Sequence, residues 1–117
     1  MHELSIAHAI VETVSDASDG GAVAEVRVRI GALSGVVADA LRFAFDVAAS
    51  GTVCAGAALV VEERPVTIWC EPCAEVRELT PPLRFRCPAC DTPSADVRGG
   101  RELDIASYTP AETVEAR

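Results

Sequence analysis

The sequence is short of what most catalytic and nucleic-acid-binding chains are built from. Histidine occurs twice, at positions 2 and 8, so no credible Ser-His-Asp set can be assembled along the chain. No glycine-rich loop precedes a helix, and Gly99-Gly100 reads as a turn rather than a phosphate cradle. Glu62 and Glu63 are adjacent, so in a strand they point to opposite faces and form no acid/base pair. Basic residues number ten against eighteen acidic ones; the net charge of −8 opposes a nucleic-acid partner. No run approaches the roughly 20 apolar residues of a membrane span. The opening Met1-His2-Glu3 lacks the basic start of a secretion signal. Repeats and low-complexity tracts are also missing. What is left is a 117-residue globular chain, half of it hydrophobic, expected to be cytoplasmic with reduced thiols.

What is present begins with cysteine. Cys70-Glu71-Pro72-Cys73 and Cys87-Pro88-Ala89-Cys90 are two Cys-x-x-Cys pairs separated by thirteen residues. Each tight turn places sulfur at its first and fourth positions, and two such turns supply the four corners of a tetrahedral zinc site. Pro72 and Pro88 fall inside the turns, where a fixed φ does little harm. Four thiolates leave no open position for a substrate, so this zinc is expected to hold structure. Structural zinc contributes roughly 10–16 kcal/mol of apparent binding energy, more than so short a segment gains by apolar burial. The fifth cysteine, Cys54, stands alone in a loop and reads as a small buried hydrophobe.

Around this segment the pattern predicts an α/β (α+β) fold. Residues 3–17 show a helical stripe of Leu4, Ala7, Val11 and Val14 with Ile6 and Ile10 beside it, ended by Asp19-Gly20-Gly21. Residues 24–30 alternate as a half-buried strand. A second helix over 38–50 carries Leu41, Phe45 and Ala48, with Phe43 and Val47 adjoining. A second strand starts at 58–61 and is expected to bend near Arg64-Pro65 and continue to Trp69. A third covers 102–108, pairing with the second as an antiparallel stem for the zinc insertion. The expected architecture is therefore two helices on one face of a small, mainly antiparallel sheet, carrying an inserted four-cysteine zinc-ribbon-like lobe. Residues 1–68 plus 97–117 form the body and 69–96 the insert.

The amino terminus is the remaining place for chemistry. The terminal amine, the amide nitrogen of His2 and its Nδ1 close two fused chelate rings on one metal, with Glu3 adding an oxygen or an amide nitrogen. Planar nitrogen donors suit Ni(II) and Cu(II). Many chains begin Met-His-Glu by chance, so the tripeptide alone leaves this open. His8, two turns into the helix, reads as a partly exposed histidine.

The full pattern resembles the HypA/HybF family of nickel metallochaperones for [NiFe]-hydrogenase maturation. The resemblance is carried by Met1-His2-Glu3-Leu4-Ser5, by Ile30-Gly31-Ala32-Leu33-Ser34-Gly35-Val36 and by Ala40-Leu41-Arg42-Phe43-Ala44-Phe45-Asp46. The two cysteine pairs and Gly100-Arg101-Glu102-Leu103-Asp104-Ile105 extend it over nearly the whole chain. It implies a nickel site at Met1, His2 and Glu3, structural zinc at Cys70, Cys73, Cys87 and Cys90, and carriage rather than catalysis. It also implies work beside the GTPase HypB and delivery to the hydrogenase large-subunit precursor; a homodimer stays open. The sequence departs from the family where glycine often follows a cysteine pair: Ala74 and Asp91 stand there. Asp tolerates a left-handed backbone, whereas Ala loses about 1–2 kcal/mol in it, which leaves the turn type at Ala74 open. No histidine flanks the cysteines to exchange with a thiolate.

Two other classes compete. A nucleic-acid-binding zinc ribbon needs a basic footprint, but residues 69–96 hold Arg77, Arg84 and Arg86 against Glu71, Glu75, Glu78, Asp91 and Asp96. A dithiol oxidoreductase needs one reactive pair and no zinc.

Overall fold

A computed structural model describes residues 2–111. The first helix, α1, spans Glu3–Ser18 and buries Ala7, Ile10, Val11 and Val14. Asp19 ends it with a left-handed backbone (φ 49°). Strand β1 (Val23–Gly31) follows, with Val26, Val28 and Ile30 buried on one face. Its other face carries Arg27 and Arg29, paired with Glu62 and Asp104 at 3.3 Å each. Helix α2 (Ala38–Ala49) buries Leu41, Ala44, Phe45, Ala48 and Ala49 and leads to strand β2 (Ala58–Arg64). Strands β1 and β2 run parallel, Val26 opposite Leu59 and Val28 opposite Val61. A parallel pair needs a crossover, and α2 supplies it.

Beyond Pro65 the chain enters a second sheet. Strand β3 (Val66–Cys70) lies between β4 (Glu75–Leu79) and β5 (Val97–Gly99), antiparallel to both. Strand β6 (Leu103–Pro110) returns to the first sheet and pairs antiparallel with β1, giving the order β2-β1-β6. The fold is thus two helices with two small, mostly antiparallel sheets. Two expectations are corrected. The single bent strand over 58–69 is two strands in different sheets, because Pro65 has no N–H to continue the ladder. The stem expected between the second and third strands does not form, because β1 lies between β2 and β6; β3 and β5 flank the cysteine segment instead.

The sheets meet where three backbone segments crowd together. The Gly31 N–H donates to Glu102 O at 2.7 Å, Leu33 N–H to Gly100 O at 2.6 Å, and Ala32 N–H to Arg64 O at 2.9 Å. A Cβ on Gly31 would overlap the Gly100 carbonyl, and Gly100 itself (φ 115°) lies against Val66. Only glycine fits this crossing. The radius of gyration, 18.1 Å, exceeds the about 13 Å of a compact chain this long, and the molecule measures 63 × 29 × 19 Å. The two sheets extend the molecule rather than stack.

Candidate metal centre

The cysteine segment folds as its spacing requires. Each Cys-x-x-Cys turn closes on itself: Ala74 N–H donates to Glu71 O at 3.1 Å and Asp91 N–H to Cys87 O at 2.8 Å. Ala74 (φ 52°) and Asp91 (φ 63°) are both left-handed, so the open turn type at Ala74 resolves as the glycine-like one. The ligand atoms of Cys70, Cys73, Cys87 and Cys90 all lie within 4.8 Å of one another. Across the two knuckles, Cys70 Sγ is 3.5 Å from Cys90 Sγ and Cys73 Sγ is 3.9 Å from Cys87 Sγ. A tetrahedron with Zn–S bonds of about 2.3 Å has sulfur–sulfur edges of about 3.8 Å. The donor set fits such an ion.

The electrostatics fit as well. Burial pushes the Cys87 thiol up, but the N–H groups of Cys90 and Ala89 and the Cys70 and Cys90 thiols outweigh it and bring it down to about 6. The Cys73 N–H favours the Cys70 thiolate, yet burial and the sulfurs of Cys90, Cys87 and Cys73 push Cys70 up to about 12. Four sulfurs this close do not all ionise without a cation among them. Ala89 N–H donates to Cys87 Sγ at 3.4 Å, and the Thr92 hydroxyl lies 3.1 Å from Cys90 Sγ. Cys70 and Cys87 are buried, Cys73 is half-buried and Cys90 is exposed. Cys54 is apart from them, fully buried in the core of the first sheet, where burial pushes its thiol up.

At the other end of the molecule, His2 is exposed and is the N-cap of α1, its carbonyl accepting from Ile6 N–H at 3.2 Å. Glu3 occupies the first helical position. Its carboxylate accepts the Val37 N–H at 3.3 Å, and Val37 is the N-cap of α2, which has no side-chain cap of its own. A bond to its own backbone N–H, and then the one from Val37, hold the Glu3 carboxyl below the usual carboxylate range. No local pattern signals this link, because it joins residues 34 apart that only the packing of two helices brings together. Met1 lies outside the described residues. His8 is exposed on α1.

Two helices against a three-stranded sheet, and a second sheet closed by a four-cysteine site that fits a metal ion, define a small α+β metal-site protein. The family model described as "Hydrogenase/urease nickel incorporation, metallochaperone, hypA" matches residues 1–109. The chain therefore belongs to the HypA family of nickel metallochaperones for hydrogenase maturation. It is 54% identical over 114 residues to hydrogenase maturation factor HypA of Chloroflexus aurantiacus, covering 94% of this chain and 100% of that one. It is 44% identical over 111 residues to HypA of Streptomyces avermitilis, with 92% and 85% covered. Its fold is similar to the solution structure of the Ni metallochaperone HypA from Helicobacter pylori, with a TM-score of 0.61 at 21% identity, covering 94% and 97% of the two chains. This is a family of maturation factors. Among the described residues no helix is long and apolar enough to cross a membrane.

Proposed function

We propose that this chain carries Ni(II) on Met1, His2 and Glu3 and delivers it during [NiFe]-hydrogenase maturation, while Cys70, Cys73, Cys87 and Cys90 hold a structural zinc ion. Family membership supports the cargo. The supporting observation on the chain itself is the position of His2: an exposed imidazole at the very start of a well-packed helix. A donor set there is held at its base and open at its tip, so a recipient's ligands can attack before the old ones leave. Nickel binding needs a deprotonated amine, imidazole and amide nitrogen, so affinity falls as pH drops. Copper out-competes nickel for such donors; selectivity then comes from metal supply and docking.

Residues 1–68 with 97–117 act as the nickel-carrying body and residues 69–96 as the zinc insert. The zinc supplies a four-way cross-link and no reactive position. The chain acts in the cytoplasm, beside the GTPase HypB, with the hydrogenase large-subunit precursor as recipient, and a homodimer is compatible with this work. It is a carrier and not an enzyme. The test is a nickel titration of zinc-loaded protein with its native amino terminus. One equivalent taken up with a planar d–d absorption band supports the reading. No uptake at neutral pH removes it. A tag ahead of Met1 should abolish uptake, because it consumes the amine.

A further inference from the structure

One charged side chain contradicts the pattern of its strand. Alternation along β4 puts Glu75, Arg77 and Leu79 on one face. The residues opposite them in β3 are Cys70, Ile68 and Val66, so this face carries a metal-site cysteine and the small aliphatic core of the second sheet. Val76, which hydrophobicity would send inward, is 49% exposed. Arg77 goes inward instead: its side chain is 27% exposed, and its Nε is buried with no hydrogen-bond partner among the described residues. One terminal nitrogen reaches Glu75 at 2.9 Å. The guanidinium belongs to the face that ends in Cys70, one of the four clustered sulfurs. A strand that turns valine out and arginine in has given up hydrocarbon burial, and a local violation of this kind marks a functional or compensating site.

We propose that Arg77 is the counter-charge of the four-cysteine site, its guanidinium donating to thiolates of that site. The inference rests on the four-thiolate reading of that site. A divalent ion with four thiolates carries a net charge of −2, and no neutral histidine dilutes it here. A planar guanidinium presents several donors in a fixed fork, so one side chain serves thiolate sulfur while still holding Glu75. Hydrogen bonding withdraws charge from those thiolates. They become poorer nucleophiles and hold the metal against competing chelators and electrophiles. Arg77 is a positioning residue, because it acts on the metal through the cysteine ligands.

The experiment uses the full chain loaded with Zn(II), and in parallel with Co(II). Wild-type protein that fails to hold one equivalent of zinc defeats the four-thiolate reading itself, and Arg77's role with it. Given that equivalent, R77M should lose affinity on the order of 10- to 100-fold in competition with a chromophoric chelator, the usual effect of removing a residue that supports a metal ligand. Iodoacetamide should release its zinc faster, and the thiolate-to-cobalt charge-transfer bands should move to lower energy. R77K, which keeps the charge and lacks the fork, should fall between. If R77M does not fold, E75Q carries the test with opposite sign: Arg77 freed from the carboxylate should slow alkylation and move the cobalt bands to higher energy. Wild-type affinity, alkylation rate and cobalt spectrum in R77M overturn the proposal. So does an R77K that behaves no better than R77M, or an E75Q variant with no shift.

Discussion

The two sheets of this molecule are closed by different means. The first buries a continuous apolar cluster running from Ala7 on α1 through Val28 on β1 to Phe45 on α2. The second buries Val66, Ile68 and Leu79, and its remaining buried side chains are the cysteines Cys70 and Cys87. Three buried aliphatic side chains are worth about 5–9 kcal/mol, whereas a structural zinc contributes roughly 10–16 kcal/mol. Hydrocarbon holds the first body, and the second depends on its sulfurs. On the function proposed above, the contrast lets one chain serve two metals: the ion meant to stay is wired into the fold, and the ion meant to leave sits at the amino-terminal tip.

Breaking the second closure should have the largest effect. C73S or C87S, or exhaustive chelation, should remove zinc and disorder residues 66–99. The helical signal and the β1–β2 pairing should persist, as read by amide dispersion and circular dichroism. Next comes the tip. H2A should lose nickel uptake with zinc content and melting temperature unchanged, checked by metal analysis and calorimetry. At the joint between the sheets, G31A forces a Cβ into the Gly100 carbonyl and should cost about 4 kcal/mol or more, the extreme of single substitutions. A smaller effect belongs to Glu3. Its folded pKa is lowered, so its contribution is complete above the ordinary carboxylate pKa and disappears as pH falls through the lower folded value. The stability difference between wild type and E3A, measured by denaturant melts, should therefore shrink in acid. The smallest effect is F43A on α2. Phe43 is 73% exposed, so stability should move by less than about 0.5 kcal/mol.

Much of this was legible in sequence. The 3.6-residue stripes on α1 and α2, the alternation of Val26, Val28 and Ile30, and the stop signal at Asp19 set α1, β1 and α2 to within a residue or two. The cysteine spacing foretold the sulfur cluster. What escaped was non-local or ran against local rules. Nothing near residue 58 says that β2 pairs parallel with β1; the α2 crossover decides that. Val76 facing out and Arg77 facing in concealed β4 from any alternation reading. Phe43 and Val47 were expected beside the core stripe, yet they lie on the opposite side of α2 from Leu41 and face solvent. The Glu3–Val37 bond exists only because α1 and α2 pack side by side.

The most direct test of two metals with two fates is metal analysis of untagged protein, loaded with both ions, after brief exposure to a strong chelator. The account predicts that nickel departs completely while one zinc per chain remains and the second sheet stays folded. Zinc leaving first, or nickel retained as tightly as zinc, would contradict it.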